Sequence, residues 1–296
     1  MNRRLVSVVA VLAALAGSAG AAAAGEPLRV VAAENVYGDI AAAVGGDRVT
    51  VTSIIASPSD DPHLFEASPS TARALAEAAL VIYNGADYDA WMTKLLGASH
   101  NAARKVIVAA DLMKVPAGAN PHIWYDPATA LAVADATAAA LIARDPADAT
   151  AIGANLAAFR ASMKPVMDEV AALKARYDGT VVAATEPVFG YMADAIGLKM
   201  QNMAFQQSVM NDTEPTPSQV IAFEKGLSDG TVRVLFYNQQ VTDSATERLL
   251  GIARAHNVPV VGVTETAPKD KSFAGWMMDE LNETGAALAR AAGQKS

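Results

Sequence analysis

The sequence predicts an α/β protein built from two doubly wound, parallel-sheet lobes joined by a long rigid helix. Short β-branched runs alternate with alanine-rich helical patterns, which is typical of parallel sheets covered by helices on both faces. The alternation occurs twice, once on either side of residues 146–177. That central stretch carries apolar residues at helical spacing, so it is predicted to connect two lobes rather than to belong to a sheet.

The first lobe is expected at residues 25–145. Its strands are predicted at four apolar, β-branched runs: Leu28–Ala33, Val49–Ala56, Leu80–Asn84 and Val106–Ala110. Alanine-rich helical segments separate these runs, for example Ser70–Ala79, which follows a Ser68-Pro69 start.

Residues 146–177 are predicted to form the connecting helix. Asp145-Pro146 opens the segment, and Ala147–Arg176 fits either one helix or two adjoining ones. Apolar side chains recur at steps of three or four: Leu156, Phe159, Met163, Val166, Met167, Val170 and Leu173. Thirty helical residues would extend about 45 Å, enough to run along both lobes and to limit their opening.

The second lobe is expected at residues 178–296. Its strands are predicted at Val181–Ala184, Met200–Phe205, Val232–Tyr237 and Val258–Val263. Helical patterns alternate with them at Gly190–Ile196, Pro217–Gly226 and Ser244–His256.

The first 24 residues read as a cleavable secretory signal. Arg3 and Arg4 form a basic start, Leu5–Leu15 an apolar core, and Ala21–Ala24 a cleavage zone. No second apolar run of spanning length follows, so we expect a periplasmic protein. The chain has no cysteine, which excludes disulfides, thiolate ligands and a cysteine-borne lipid anchor.

The net charge of the chain indicates which classes of binding partner are unfavourable. The formal net charge is −8, and removal of Arg3 and Arg4 with the signal gives −8 − 2 = −10 for the mature chain. A balance this acidic speaks against nucleic acid as a partner, because its binding rests on basic surface. It mildly favours the attraction of cations.

Four candidate metal ligands lie roughly sixty to eighty residues apart: His63, His122, Glu186 and Glu265. Each follows a predicted strand or its trailing loop, and open α/β sheets bind ligands at the carboxyl ends of their strands. Two neutral imidazoles and two carboxylates carry a charge of −2, which would neutralise one divalent cation. The pattern predicts a metal site in the cleft between the lobes.

Each candidate also has an ordinary structural interpretation. A loop histidine commonly bonds a carbonyl group, and a glutamate at a strand end is commonly a solvated surface residue. Asp126 is expected either to orient His122 or to cap the helix that follows. The two other histidines, His100 and His256, are interpreted as structural. Asn238, Gln239 and Gln240 follow another strand and are weaker candidates for lining the cleft.

Four segments of the chain resemble the periplasmic solute-binding proteins of zinc, manganese and iron ABC importers. The matching segments are Asp61–Ser70, Asn120–Pro127, Glu186–Leu198 and Val260–Thr266. The resemblance implies two α/β lobes with a metal held between them by His63, His122, Glu186 and Glu265. It also implies delivery to a membrane permease that is powered by a cytoplasmic ATPase.

Three features, compared with the family pattern, bear on the metal. The position of Glu186 holds histidine in many zinc-type members and glutamate in many manganese- or iron-type ones, and that of Glu265 commonly holds aspartate. Met113–Asn120 is short and lacks the histidines that many zinc-type members carry there. Glu186 and the short loop favour manganese or ferrous iron, while the general affinity order keeps zinc a close alternative.

The sequence therefore predicts a binding protein, expected as a monomer, whose cargo is one divalent transition metal: Mn²⁺, Zn²⁺ or Fe²⁺. It carries no His-Glu-x-x-His, G-x-S-x-G, phosphate-loop or dinucleotide motif. The alternatives are a periplasmic metallohydrolase that uses the same ligands and a binder of a small organic or anionic solute. Four protein ligands would close the site, whereas catalytic metals usually keep one position open.

Overall fold

The computed structural model describes residues 26–57, 65, 68–211, 213–241 and 244–293. Within these ranges the chain forms two parallel sheets of four strands each. The strands of the first sheet are β1 (Leu28–Glu34), β2 (Val49–Ile55), β3 (Leu80–Tyr83) and β4 (Lys105–Val108). Those of the second are β5 (Val181–Ala184), β6 (Lys199–Gln201), β7 (Leu235–Asn238) and β8 (Val260–Val263).

The two sheets have the same topology. Their strand orders are β2-β1-β3-β4 and β6-β5-β7-β8, with every pair parallel. In each sheet the order reverses beside the first strand, between β1 and β3 and between β5 and β7. A crevice forms at such a switch point, outside the carboxyl ends of the strands.

Helices cover both faces of the sheets, as the sequence predicted. Their bounds are α1 (Asn35–Gly45), α2 (Pro69–Glu77), α3 (Ala90–Ala98), α4 (Ala109–Met113), α5 (Pro127–Arg144), α6 (Ala149–Tyr177), α7 (Gly190–Ile196), α8 (Met203–Met210), α9 (Pro217–Ser228), α10 (Ser244–Ala255) and α11 (Phe273–Gly293). Alternate residues of β1 separate between the faces: Val30 and Ala32 join one apolar cluster, and Val31 and Ala33 join another.

The connecting segment begins with a 3-10 turn at Pro146–Asp148 and continues as the single helix α6. At 1.5 Å per residue, its 29 residues extend about 43 Å. Helix α6 contacts α1 and α5 of the first half and α7 and α11 of the second. One continuous buried apolar cluster therefore runs through both halves along this helix.

Two further contacts join the halves beside the cleft. The Asn35 side chain donates to the carbonyl of Ala267 (2.7 Å) and accepts from its N–H (3.0 Å). The Asp39 carboxylate accepts from the N–H of Phe273 (2.6 Å), the first residue of α11. These bonds hold α1 against the chain that follows β8.

One predicted strand was wrong over most of its length. The apolar run Met200–Phe205 is not one strand: β6 ends at Gln201, and Met203 begins α8. Asn202 lies between them with φ 59°, a left-handed conformation that ends the extended strand. The runs that end at Ala110 and Tyr237 differ by a few residues, and Ala109 and Ala110 begin α4.

Among the described residues, no helix combines the length and the hydropathy that crossing a membrane requires.

Candidate metal centre

Three of the four predicted ligands meet in one buried group. The ligand atoms of His122, Glu186 and Glu265 all lie within 4.8 Å of one another, and each side chain is at most 3 % exposed. Glu186 lies just after β5 and Glu265 just after β8, and His122 lies in the segment between α4 and α5. The fourth predicted ligand, His63, lies outside the described residues.

His122 has a fixed ring orientation. Its Nδ1 lies 2.7 Å from Asn120 Oδ1, and its backbone N–H donates to the same oxygen (3.1 Å). An amide oxygen only accepts, so Nδ1 carries a proton, and in the neutral ring the lone pair lies on Nε2. Nε2 has no hydrogen-bond partner among the described residues and lies 3.6 Å from Glu265 Oε2. The ring thus directs Nε2 toward the two carboxylates.

Of the two roles expected for Asp126, the structure shows the helix cap. Its side chain accepts from the N–H of Ala128 at the start of α5 (2.9 Å). Asn120 orients the ring instead. It is itself held from the other half, because its Nδ2 donates to the carbonyl of Pro187 (2.8 Å) and its carbonyl accepts from the Tyr191 hydroxyl (2.8 Å).

Glu186 follows β5 and precedes Pro187, which restricts it to extended backbone (φ −148°, ψ 153°). One carboxylate oxygen, Oε2, accepts from Asn238 Nδ2 at 2.7 Å. Glu265 follows β8, and its Oε1 accepts from the same nitrogen at 2.6 Å. One amide group at the end of β7 therefore holds both carboxylates of the second half.

Gln240 fixes the backbone beneath Glu265. Its Oε1 accepts from the N–H of Glu265 (2.5 Å) and of Thr266 (3.3 Å). Gln239 packs against β8 so closely that a Cβ at Gly262 would lie 2.3 Å from its Nε2. Of the weaker candidates from the sequence, Asn238 thus bonds both carboxylates, and Gln240 bonds the backbone of Glu265.

Tyr88 is a site residue that sequence reasoning missed. Its hydroxyl donates to Glu265 Oε2 (2.7 Å), and its ring lies edge-on to the His122 ring at 5.8 Å. Burial, followed by the negative charge of Glu265, raises the pKa of Tyr88 well above its usual value. The hydroxyl therefore stays protonated as a donor. No local pattern around Tyr88 marks it, since its partner lies 177 positions later.

The remaining histidines lie elsewhere. His100 and His256 are both exposed, and neither contributes an atom to the buried ligand group.

Two sheets of identical strand order, a long helix between them and a buried imidazole–carboxylate group are typical of two-lobed solute-binding proteins. Residues 30–286 match the family described as ZnuA, zinc-uptake complex component A, periplasmic. The match covers most of the chain, and the chain belongs to this family.

Individual relatives agree with this assignment. The manganese ABC transporter substrate-binding lipoprotein PsaA of Streptococcus pneumoniae is 25% identical over 250 residues, 79% of this chain and 78% of PsaA. The iron ABC transporter substrate-binding lipoprotein MtsA of Streptococcus pyogenes serotype M1 is 23% identical over 288 residues, 88% of this chain and 90% of MtsA.

Among solved structures, the periplasmic zinc binding protein TroA from Treponema pallidum superposes with a TM-score of 0.74 at 17% identity. The superposition covers 89% of this chain and 99% of TroA. This likeness confirms the predicted two-lobed fold with its long connecting helix.

Proposed function

We propose that this protein captures one divalent transition-metal ion in the periplasm and delivers it to an ABC importer. The cargo is Mn²⁺, Zn²⁺ or Fe²⁺, and the partners are a membrane permease and its cytoplasmic ATPase. The protein acts as a monomer, after removal of a signal peptide at residues 1–24. The lobes are residues 25–145 and 178–296, with 146–177 between them.

The buried group of His122, Glu186 and Glu265 carries this proposal. Taking a charged carboxylate out of water costs roughly several kcal/mol in real proteins. Here two carboxylates lie buried within 4.8 Å of each other and of the His122 ring. A divalent cation would neutralise both carboxylates and use the His122 Nε2 lone pair.

His63 supplies the fourth donor in this proposal. Together the residues give two imidazole nitrogens and two carboxylates, a set suited to the divalent ions of the first transition row. All four donors are protein groups, so the set favours capture over the hydrolysis of a substrate by a metal-bound water.

A titration of the metal-free protein with Zn²⁺ and Mn²⁺ against a competing chelator tests the proposal. The wild type should bind one ion per chain. His63→Ala, His122→Ala and Glu186→Ala should each weaken binding by more than about 100-fold, beyond the loss typical of an outer partner. His256→Ala, an exposed histidine outside the group, is the matched control and should bind like the wild type. Full affinity in His122→Ala would rule the site out.

A further inference from the structure

We propose that Asn35 and Asp39, two residues of α1 that together form what we call the α1 clamp, position Glu265 for the bound metal. They fasten residues 264–273, the segment that follows β8 of the second half, to the first half of the chain. This inference rests on the proposed function. It adds two positioning residues that are not ligands and that belong to the opposite half from the glutamate they hold.

Asn35 pairs with Ala267 through both ends of its side-chain amide. Its Nδ2 donates to the carbonyl of Ala267 (2.7 Å), and its Oδ1 accepts from the N–H of the same residue (3.0 Å). A backbone N–H only donates and a carbonyl only accepts, so a flipped amide would lose both bonds. Ala267 is 3 % exposed and follows Glu265 closely in the chain. One side chain of the first half thus fixes the backbone just beyond the glutamate.

Asp39 lies about one helical turn after Asn35, on the same side of α1. Its Oδ2 accepts from the N–H of Phe273, the first residue of α11 (2.6 Å). The N–H groups of a first helical turn have no partner within their helix, and the positive end of the helix dipole favours a carboxylate there. Phe273 is itself buried in the apolar cluster that runs through both halves. Asp39 therefore fixes the far end of the segment.

Two tyrosines of the first half hold the near end of the same segment. The Tyr125 hydroxyl donates to the carbonyl of Thr264 (2.8 Å). The Tyr88 hydroxyl donates to Glu265 Oε2 (2.7 Å). The second half holds the segment through Gln240, whose Oε1 accepts from the N–H of Glu265 (2.5 Å). The segment is therefore bonded to both halves, and the α1 clamp fixes its course after Glu265.

The α1 clamp should slow the escape of a bound ion. Release requires at least one ligand to move away from the metal, and the movement of Glu265 is limited while the backbone on both sides of it is held. Without the clamp, the segment keeps its bonds to the tyrosines and to Gln240 but loses its ties to α1. We therefore expect the segment to open locally more often, and the metal to leave faster.

Amide hydrogen exchange of the metal-free protein tests the clamp, because the N–H groups of Ala267 and Phe273 are its own partners. Exchange should be followed by NMR for the wild type, Asn35→Ala, Asp39→Ala and Asp39→Asn. Asn155→Ala is the matched control: Asn155 donates to a carbonyl near the other end of α1 (3.2 Å), a bond that does not involve residues 264–273. Release of Zn²⁺ to a chelator, measured by stopped flow, is the second readout.

Asn35→Ala should speed exchange at Ala267, and Asp39→Ala should speed it at Phe273, by about 2- to 10-fold relative to the control, the range for losing an ordinary hydrogen bond. The control also loses one hydrogen bond, so a general loss of stability is common to both. Release of Zn²⁺ should speed by a similar factor in the clamp variants. Asp39→Asn keeps an acceptor oxygen for Phe273 and should recover most of the wild-type behaviour.

Asn35→Asp is the second variant for the Ala267 contact and serves if Asn35→Ala does not fold. It keeps an acceptor for the N–H of Ala267 but loses the donor to its carbonyl, so it should also release Zn²⁺ faster than the wild type.

The inference would be overturned if Ala267 and Phe273 exchanged no faster in the clamp variants than in Asn155→Ala. Faster exchange with unchanged release of Zn²⁺ would also overturn it, because the clamp would then hold the segment without positioning the ligand. Either result would leave metal binding itself intact. A wild type that binds no Zn²⁺ would instead be a failure of the proposed function.

Discussion

The Tyr88 hydroxyl of the first half donates a 2.7 Å hydrogen bond to Oε2 of Glu265 in the second half. The bond crosses the cleft at the same carboxylate oxygen that faces His122 Nε2. Any separation of the halves would therefore break it or move Glu265, so one hydrogen bond connects the geometry of a proposed ligand to the contact between the halves.

Replacing Tyr88 by phenylalanine should weaken metal binding by about 10-fold and speed release, because Glu265 loses its donor from the opposite half. Chelator-induced release measured by stopped flow checks this. Tyr83→Phe, a half-buried tyrosine on β3, is the control. Unchanged release from Tyr88→Phe would mean that this bond contributes nothing to retention.

Asn120→Ala should lower metal affinity by about 10- to 100-fold, because the imidazole of His122 loses the acceptor that fixes its tautomer and orientation. Asn120→Asp keeps an acceptor oxygen and should restore most of the affinity. Isothermal titration with Zn²⁺ compares the two variants. Equal losses in both would show that the bond from Asn120 Nδ2 to the carbonyl of Pro187, which neither variant can make, matters more than the contact with His122.

The sequence predicted those features of the fold that depend on local residue patterns. Runs of β-branched residues located the strands, and helical spacing located α6. The prediction of a strand at Met200–Phe205 was wrong because Asn202, within this run, has a left-handed backbone that the composition does not reveal. Glu186 and Glu265 could be proposed as ligands from the sequence because a strand end is a local feature. Tyr88 and Asn120 were missed because their roles depend on which loops the fold brings together.

A buried acidic pair beneath the Tyr88 turn gives a pH prediction. As an ionised group, Glu34 would have no donor among the described residues; when protonated, it donates to Asp89. Burial, followed by the charge of Asp89, raises the pKa of Glu34 well above its usual range, and burial raises that of Asp89 to about 6. Asp89 in turn accepts from the N–H groups of Asn84 and Gly85 (2.6 and 2.8 Å).

When a carboxyl has a higher pKa in the folded state than in the unfolded state, its ionisation lowers the free energy of unfolding. Stability is therefore lost as pH rises from the unfolded pKa, near 4, through the folded values. Glu34→Gln cannot ionise and keeps a donor for Asp89, so its melting temperature should exceed the wild-type value increasingly toward pH 9. Near pH 4.5 the two should be similar. Thermal unfolding of the metal-free protein measures this. A difference in melting temperature between Glu34→Gln and the wild type that stays constant with pH would contradict the prediction.

Glu280 on α11 should behave in the same way at higher pH. Burial raises its pKa to about 8, and Trp276 Nε1 donates to its Oε1 (3.0 Å). Wild-type stability should fall as pH rises from about 4.5 through about 8. Glu280→Gln keeps an acceptor for Trp276 and removes this loss, an advantage on the order of 5 kcal/mol at full ionisation.

Denaturant unfolding of the metal-free protein at pH 5 and pH 9 measures the Glu280 effect. Glu247→Gln, an exposed glutamate on α10, is the control and should change little. An equal stability difference between the wild type and Glu280→Gln at both pH values would contradict the prediction.

The central claim is that His63, His122, Glu186 and Glu265 hold one divalent metal. It is tested most directly by elemental analysis of protein purified from the periplasm without added metal, for the wild type and for Glu186→Ala. The wild type should carry close to one transition-metal ion per chain, and Glu186→Ala should carry almost none. A wild type without metal that takes up none on titration, or a Glu186→Ala protein as fully loaded as the wild type, would contradict the claim.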